Sequence, residues 1–532
     1  MLEGCIDWPE DFIHRYRDRG YWQGMPLGHL LRQQAQLTPD KEALVDGPRR
    51  WSYAELDRRA DQLAAGLADR GITAGQRVLV QLPNIGEFFS LTFALLRLGV
   101  IPVFALPAHR EHELLHLAEL SQAVAYVMVD QHQGFDYRPL ARTLLQQAPS
   151  LQQVWVVGAA EEFVALDRCA AAARPLPVPD SREVALLLLS GGTTGLPKLI
   201  PRTHDDYACN ARLAARACGF DSHTRYLAAL PVAHNFPLAS PGALGVFSVG
   251  GTLVLCPEPS PDTAFELIEH ERITHTALIP PLVILWLEVA QWTDSDLTSL
   301  QWLQVGGARL KAEIAARVRP TLGCGLQQVY GMAEGLLCFT PLDDPQDRVF
   351  QTQGLPLTED DEIRIVDADD MPVVPGEVGE LLVRGPYTIR GYYQAAEQNL
   401  RAFTADGFYR SGDLVRRLPQ GHLIVEGRSK DVINRGGEKI PVEDIENLLL
   451  GHPQIRDVAL VALTDELLGE RSCACVLARD EPIELASVNA WLRERGLAAF
   501  KLPDRLQVLD QFPLTRLGKV NRKALAEQVM AL

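Results

Sequence analysis

Short apolar segments that end in glycine or other small residues recur through much of the chain. Their length and apolar content predict buried strands at Val184–Leu189, Gln301–Val305 and Leu326–Tyr330. Stretches with a helical spacing of apolar residues lie between such segments, as in Ala264–His270 before the strand predicted at Thr274–Ile279. This alternation predicts an α/β fold with mostly parallel sheets. Ligands of such sheets bind at the carboxyl ends of the strands, where the glycine-rich loops fall.

The pattern changes further along the chain. Short strands predicted at Glu377–Arg384 and His422–Glu426 are separated by glycine and proline turns, which indicates a small β-rich subdomain. A compact tail follows, with helices and strands predicted at Val442–Leu450, Ser487–Arg495, Asp457–Leu463 and Arg505–Leu509. A chain of 532 residues exceeds what one hydrophobic core usually supports. We therefore predict a large N-terminal domain at 1–429 and a small, mobile α+β C-terminal domain at 430–532.

The composition excludes several classes of protein. A net charge of −17 leaves no basic excess for neutralising nucleic-acid phosphates, and no apolar run reaches the length of a membrane span. The acidic N-terminus is unlike a signal peptide, and nine cysteines are typical of reduced thiols rather than of a disulfide framework. Cys473 and Cys475 have no second pair to complete a zinc site, so we interpret them as core strand residues. We expect a cytoplasmic protein without a nucleic-acid or membrane partner.

The segment Ser190–Lys198 combines three glycines with three hydroxyl side chains directly after a predicted strand. It differs from a Walker A loop, because its lysine follows a proline and its hydroxyls come before the lysine. Glycines let a backbone approach an anion closely, and hydroxyls donate neutral hydrogen bonds. The segment therefore predicts a phosphate-binding loop, with a flexible glycine turn as the alternative.

Three further segments carry side chains suited to a nucleotide. In Tyr330–Glu334 a ring that could stack on a base comes shortly before a carboxylate that could hold Mg²⁺. Asp413, after a serine and a glycine, could accept hydrogen bonds from two ribose hydroxyls, and Arg428 offers a charged fork for ribose or phosphate. Taken singly, Tyr330 and Glu334 are equally consistent with a core tyrosine and a surface glutamate, and Asp413 and Arg428 are more typical of surface salt bridges.

Lys519, near the C-terminus, lies more than three hundred residues after the glycine-rich loop. A nucleotide held by one domain and a cation brought by another would suit the attack of a carboxylate on an α-phosphate. That step brings two anions together, so a positioned cation lowers its barrier. The alternative is a solvated lysine in a C-terminal turn.

Taken in order, these segments resemble the adenylate-forming superfamily of acyl-CoA synthetases, luciferases and peptide-synthetase adenylation domains. Within it the chain is most similar to the stand-alone aryl-acid adenylating enzymes of siderophore biosynthesis, which activate 2,3-dihydroxybenzoate or salicylate. The resemblance covers essentially the whole chain, and it is strongest in the runs His234–Gly242, Gly331–Thr340, Arg384–Tyr393 and Ile433–Lys439.

The resemblance implies roles for residues in these runs. ATP would be bound by residues from several loops, namely Ser190, Gly191, Gly192, Thr193, Thr194, Lys198, Gly307, Ala308, Val329, Tyr330, Gly331, Glu334, Asp413, Arg428 and Lys519. Lys519, His234 and Glu334 would be the catalytic residues, with Mg²⁺ on Glu334. The small aromatic acid would contact Asn235, Ser240, Gly307 and Leu337. Lys430 would be the hinge, and a channel for the phosphopantetheine arm of an aryl carrier protein would run along Arg435, Gly436 and Gly437.

The residues expected around the acid give mixed indications. Amino-acid-activating relatives carry an acidic residue at the position of Asn235, so a neutral amide favours an acid without an amine. Ser240 resembles the dihydroxybenzoate enzymes, whereas Leu337 resembles the salicylate enzymes, and Phe236 and Cys338 also depart from the dihydroxybenzoate pattern. Salicylate therefore remains open, as does the alternative that Asn235 and Ser240 only cap a turn.

Two other functions remain to be distinguished. An aryl-CoA ligase would share the first step and use free coenzyme A as the acceptor. A non-catalytic nucleotide-sensing protein on the same fold would have no need of Lys519, so the presence of Lys519 with Glu334 and Asp413 argues against it.

Overall fold

The computed structural model describes residues 1–190, 197–428, 432–479, 482–513 and 520–531, without the side chains of residues 428, 443 and 444. A nine-stranded sheet contains six neighbouring strands paired in parallel, with antiparallel strands at both edges. In spatial order its strands are Leu355–Pro356, Gly335–Phe339, Gly325–Met332, Trp302–Val305, His275–Leu278, Arg225–Ala228, Thr252–Leu255, Glu42–Asp46 and Arg49–Ser52.

A second sheet of seven strands is parallel except at one edge. Its strands in spatial order are Leu199–Thr203, Val184–Leu189, Ile101–Phe104, Arg77–Gln81, Ala125–Val129, Gln153–Val157 and Val164–Ala165. The helix Gly86–Leu98 is buried along nearly its whole length, as its almost uninterrupted apolar sequence requires. Both sheets contribute to one large hydrophobic core.

Two smaller sheets follow. The first is antiparallel and contains Glu362–Val366, Gly379–Arg384, Tyr409–Arg417 and Leu423–Arg428. The second belongs to the C-terminal region and contains Glu438–Pro441, Val432–Arg435, Gly469–Ala478, Ile455–Asp465 and Arg505–Val508. A short ribbon pairs Gln131–His132 with Phe135–Asp136.

The helices cover the faces of these sheets. They are Glu10–Asp18, His29–Leu37, Tyr53–Asp69, Gly86–Leu98, Glu111–Ser121, Arg138–Gln147, His204–Ala217, Asn235–Ala239, Gly242–Val249, Pro261–Glu271, Pro280–Val289, Ala312–Leu322, Gln346–Gln351, Ala396–Ala402, Val442–Leu450, Leu485–Glu494 and Arg522–Met530, with short 3₁₀ turns at Leu166–Cys169 and Ala499–Lys501. No described helix is both long and apolar enough to cross a lipid bilayer.

The predicted α/β fold is confirmed, and the predicted strand Val184–Leu189 and helix Val442–Leu450 have the expected bounds. Cys473 and Cys475 are buried in the strand Gly469–Ala478, as expected. The strand predicted at Leu326–Tyr330 is longer than expected, since it spans Gly325–Met332. The strand continues to Met332 because Gly331 pairs with Leu337 across a hairpin, and the chain turns at residues 333 and 334.

Candidate active site

A cavity of about 150 Å³ lies at the carboxyl ends of three strands, Val184–Leu189, Trp302–Val305 and Gly325–Met332. This is the location predicted for a ligand of a parallel sheet. Its lining brings together distant parts of the chain, namely Leu189, Ser190, Lys198, His234, Asn235, Phe236, Ser240, Gly306, Gly307, Val329, Gly331, Met332, Ala333, Glu334, Leu337, Tyr392, Gln398, Ala402, Tyr409, Arg410, Ser411, Asp413, Gly437 and Lys439.

The two ends of the glycine-rich loop are joined at the cavity. The backbone N–H of Ser190 donates to the carbonyl oxygen of Lys198 (2.9 Å), and the N–H of Lys198 donates to Ser190 Oγ (3.0 Å). The Lys198 ammonium lies 5.0 Å from the centre of the Tyr392 ring. The intervening residues, with the predicted ligands Gly191, Gly192, Thr193 and Thr194, lie outside the described residues. Ser190 and Lys198 both line the cavity, so the described ends of this segment lie at its wall.

The tyrosine and aspartate predicted for the nucleoside are hydrogen-bonded to each other. Tyr330 Oη donates to Asp413 Oδ2 (2.7 Å), and the Asp413 N–H donates to Ser411 Oγ (3.0 Å). The Arg428 backbone lies opposite Asp413 in the antiparallel sheet, but its side chain is outside the description. Ala308 and Tyr330 are half-buried next to lining residues without lining the cavity themselves.

Glu334 is buried at the turn that follows the strand Gly325–Met332. Tyr392 Oη donates to its Oε1 (2.8 Å), which fixes the carboxylate against the cavity wall. The neighbouring Ala333 carbonyl accepts a hydrogen bond from the buried Arg202 guanidinium (2.9 Å). Arg202 also pairs with Asp206 (2.7 Å) and donates to the Tyr387 carbonyl (3.0 Å), so it holds the turn in place.

His234 is buried at the start of the helix Asn235–Ala239, where its Nδ1 accepts the Phe236 N–H (3.3 Å). Burial, with a smaller contribution from the positive charge of Lys439, lowers the pKa of His234 to about 4. The ring is therefore neutral near pH 7. With Nδ1 accepting, the proton resides on Nε2, which makes His234 a neutral donor.

Asn235 and Ser240 enter the cavity among apolar side chains. Asn235 Oδ1 accepts from Tyr207 Oη (2.9 Å), and Asn235 Nδ2 donates to Ser240 Oγ (3.3 Å). Asn210 Nδ2 donates to Ser240 Oγ from the other side (3.1 Å). Asn235 is the first residue of the helix and Ser240 is its C-cap residue, whose backbone N–H donates to the Phe236 carbonyl. The side-chain cap at the start of the helix is His234, and the side chains of Asn235 and Ser240 bond each other.

Close packing limits the width of the cavity. A Cβ at Gly306 would lie 2.9 Å from Phe236 Cζ and 3.1 Å from the Val329 carbonyl oxygen. A Cβ at Gly331 would lie 2.4 Å from Leu337 Cδ2. The floor of the cavity is therefore formed by backbone that has room only for glycine.

The C-terminal region reaches the cavity through the turn between its first two strands. Gly437 lines the cavity, and Asn434 Nδ2 donates to the Gly307 carbonyl (3.1 Å). Arg435 instead pairs with Asp504 (2.7 Å), and a Cβ at Gly436 would approach Pro281 and Leu468. The predicted hinge Lys430 and the predicted catalytic Lys519 lie outside the described residues.

A second cavity of about 80 Å³ adjoins the first, with Ser190, His234, Asn235, Gly437 and Lys439 lining both. Beside it a buried ion pair connects the two regions of the chain, with Lys501 Nζ 3.1 Å from Glu113 Oε1. The Ala498 N–H also donates to Glu113 Oε1 (3.2 Å). Burial raises the pKa of Glu113, but the positive charges of Lys501 and His109, together with the hydrogen bonds that the carboxylate accepts, hold that pKa below its usual value.

Several residues at the site were not predicted. Tyr392, Arg410 and Lys439 line the cavity, although Tyr392 and Lys439 do lie within the runs that resemble the family. Tyr207 and Asn210 lie behind it on the helix His204–Ala217, where both are buried. Their three-residue spacing places them on one face of the helix, and this polar pair within an otherwise apolar stripe was a signal that could have identified them.

Comparisons with known proteins agree with this geometry. The chain matches the family model described as "AMP-binding enzyme" at residues 31–393 and the model described as "AMP-binding enzyme C-terminal domain" at residues 444–519. It is 53% identical to the 2,3-dihydroxybenzoate-AMP ligase of Bacillus subtilis, over 99% of this chain and 98% of that protein. It is 50% identical to the salicyl-AMP ligase / salicyl-S-ArCP synthetase of Mycobacterium tuberculosis, over 99% of this chain and 95% of that protein.

A solved structure shares the fold over the same length. The apo structure of MbtA from Mycobacterium smegmatis superposes with a TM-score of 0.77 at 50% identity, over 99% of both chains. The two family models together cover most of the sequence, and the relatives match it nearly end to end. The chain therefore belongs to the AMP-binding enzyme family, and the resemblance to the adenylate-forming aryl-acid enzymes is confirmed.

Proposed function

We propose that this enzyme activates an aromatic acid with ATP and transfers the aryl group to a thiol. The observation that carries the proposal is the composition of one cavity, in which the neutral Asn235 and Ser240 lie among apolar walls together with the carboxylates of Glu334 and Asp413. The neutral polar pair suits a hydroxylated ring that lacks an amine. The carboxylates suit a nucleotide with its metal ion.

The first half-reaction forms an aryl-adenylate. A carboxylate oxygen of the acid attacks the α-phosphorus of ATP, and the bond to pyrophosphate breaks. We assign Lys519 to the developing charge between the two reactants, and Asp413 to the ribose hydroxyls. His234, as a buried neutral donor, can bond an oxygen at the reacting centre without adding charge.

Glu334 is the residue we assign to Mg²⁺. The ion takes oxygen ligands, commonly one or two carboxylates together with substrate phosphates. Within the described residues no group of three or more histidine, cysteine, aspartate or glutamate side chains could hold a metal alone, so a site shared with ATP fits these donors. When bound, the ion would neutralise phosphate charge.

The second half-reaction transfers the aryl group. The thiol sulfur bonds the acyl carbon and gives up its proton to solvent, while the bond from that carbon to the AMP phosphate oxygen breaks and AMP leaves with the electron pair. The second cavity, which meets the first at Gly437, is the channel we assign to a phosphopantetheine arm. The name of the mycobacterial relative includes a salicyl-S-ArCP product, which supports an aryl carrier protein as the acceptor.

The acid we favour is 2,3-dihydroxybenzoate, with salicylate as the alternative. Ser240 and Asn235 offer hydrogen bonds to a ring hydroxyl, and the Bacillus relative carries dihydroxybenzoate in its name. Salicylate is the alternative for two reasons. Leu337, which lines the cavity, resembles the salicylate enzymes, and one relative is a salicyl-AMP ligase.

Acid-dependent exchange of labelled pyrophosphate into ATP tests the first step, with both acids measured side by side and benzoate as the reference. Absence of exchange with every hydroxybenzoate would refute the proposal. The acceptor is tested by incubating enzyme, acid and ATP with holo-carrier protein, apo-carrier protein or coenzyme A. Acylation of coenzyme A alone would replace the carrier protein with an aryl-CoA ligase activity.

The role of Lys519 is tested by Lys519→Ala. We expect adenylation to fall by about 10²–10³, as for other groups that stabilise developing charge, while a preformed aryl-adenylate is still transferred. Loss of both half-reactions to the same extent would contradict this assignment. Lys523→Ala, in the helix Arg522–Met530, is the matched control.

A further inference from the structure

We infer that Asn210, a residue outside the cavity, holds the Ser240 hydroxyl as a hydrogen-bond donor toward the aromatic acid. The inference rests on the proposed function and concerns how the acid is chosen. Asn210 is 0% exposed on the helix His204–Ala217, and among the described residues it bonds the cavity lining through Ser240. It is therefore a positioning residue, since another side chain makes the contact with substrate.

The orientation of the Asn210 amide is fixed by its neighbours. Its Nδ2 lies 2.8 Å from the Ala239 carbonyl oxygen, which can only accept a hydrogen bond. Rotating the amide would place two oxygens against each other, so the nitrogen must face Ala239. The second N–H of the same group then points to Ser240 Oγ at 3.1 Å. Its Oδ1 is buried without a hydrogen-bond partner among the described residues, which is unfavourable. The two hydrogen bonds donated by Nδ2 offset this loss.

The orientation of Asn235 follows from Tyr207. The Tyr207 hydroxyl is buried, and its contact within the described structure is Asn235 Oδ1 at 2.9 Å. If the Asn235 amide were rotated, the phenol hydrogen would be left buried without an acceptor, which is unfavourable. Tyr207 therefore donates, and Asn235 turns its Nδ2 toward Ser240 Oγ at 3.3 Å.

Ser240 thus accepts two hydrogen bonds, one from Asn210 and one from Asn235. A hydroxyl has two lone pairs and one hydrogen, so both of its acceptor positions are occupied. Within the described residues the side-chain hydrogen bonds of Ser240 Oγ are the two that it accepts, and Ser240 lines the cavity. The group available to a ligand is therefore the O–H donor.

Because Ser240 presents a donor, it favours an acid whose ring substituent has a lone pair that can accept a hydrogen bond. An oxygen at the 3-position of 2,3-dihydroxybenzoate can accept from Ser240, while its own hydrogen bonds the adjacent 2-oxygen. Salicylate presents a C–H there, and a 3-amino group is a donor and a poor acceptor. A site built to pair a polar substituent discriminates strongly against an analogue that lacks the pairing.

Two measurements of kcat/KM for pyrophosphate exchange test the inference. With the unaltered enzyme we expect 2,3-dihydroxybenzoate to exceed 3-amino-2-hydroxybenzoate, which has nearly the same size, by about tenfold or more. With Asn210→Leu, which keeps the volume and removes both donors, we expect the ratio of 2,3-dihydroxybenzoate to salicylate to fall by about tenfold. Cys218→Ala, a buried change at the end of the same helix, should leave that ratio unchanged.

The outcomes are separable from those of the proposed function. Exchange with neither acid would overturn the function itself. Exchange with both acids, combined with an unchanged ratio in Asn210→Leu or equal use of the 3-amino and 3-hydroxy acids, would overturn only the role of Asn210. The 3-amino comparison uses the unaltered protein, so it decides the question even if Asn210→Leu does not fold.

Discussion

The buried ion pair between Glu113 and Lys501 should control transfer to the thiol without affecting adenylation. Its two side chains are 0% and 3% exposed, and they come from the N-terminal and C-terminal regions. The pair therefore exists only while the C-terminal region stands in this arrangement, in which Gly437 lines the cavity. We predict that Glu113→Gln selectively slows transfer of the aryl group.

The expected magnitude follows from burial. Removing one partner of a buried ion pair costs about 3–5 kcal/mol, because the remaining charge stays desolvated. The lower value applies here, since on the proposed two-step mechanism Lys501 would be exposed to water in the arrangement that carries out adenylation. At about 1.4 kcal/mol for each factor of ten, about 3 kcal/mol reduces the population of this arrangement by about 10²-fold.

The assay compares the two half-reactions in one variant. Single-turnover transfer of preformed aryl-adenylate to a thiol should slow by about 10²-fold in Glu113→Gln, whereas pyrophosphate exchange should stay within about threefold. The double variant Glu113→Leu with Lys501→Met removes both charges and should recover much of the rate, as apolar replacements of buried pairs often do. Glu162→Gln, in an exposed pair with Arg142, should have no effect. Equal slowing of both half-reactions, or an unchanged transfer rate, would refute the reasoning.

Two further predictions concern the cavity and acid stability. Gly306→Ala places a Cβ 2.9 Å from Phe236 Cζ, so we expect the KM for the acid to rise about tenfold and the KM for ATP to change little. Gly451→Ala is the control. An equal rise in KM for both substrates would contradict the prediction. Burial lowers the pKa of His275 to about 4 from 6.5. Between these two pKa values His275 is protonated in the unfolded chain and neutral in the folded protein. The free energy of unfolding therefore decreases as pH falls below 6.5, by up to about 1.4 kcal/mol per pH unit. Thermal unfolding between pH 7 and 4.5 should show a shallower decline for His275→Gln than for the exposed His14→Gln, and identical slopes would exclude this contribution.

The sequence predicted those parts of the fold whose pattern is local. Val184–Leu189 is an uninterrupted apolar run before a glycine-rich loop, and Val442–Leu450 starts after a proline, so both bounds follow from short-range preferences. The end of the strand at Met332 was mispredicted because a hairpin partner at Leu337 overrides the tendency of Gly331 to start a turn. Strand order depends on contacts between remote segments, which no local pattern encodes.

The candidate site shows the same difference between residues in local motifs, which the sequence predicts, and residues whose role depends on remote contacts. Residues in recognisable runs, such as Ser190, Glu334 and Asp413, do meet in one cavity. Tyr207 and Asn210 were missed because they act from behind the cavity wall, and their importance depends on which side chains they face. Residues that line the cavity lie in motifs that can be recognised in the sequence, whereas residues that only hydrogen-bond to them from behind do not.

Arg202 lies at the end of the strand that precedes the helix carrying Tyr207 and Asn210. Its guanidinium stands over the Tyr207 ring at 4.7 Å and bonds the carbonyl next to Glu334. The same few residues thus support both the proposed binding site of the acid and the turn that carries Glu334. Redesigning this enzyme for a new acid by transplanting only residues 234–242 would leave that support mismatched, so the donor's residues 202–210 should be exchanged together with them.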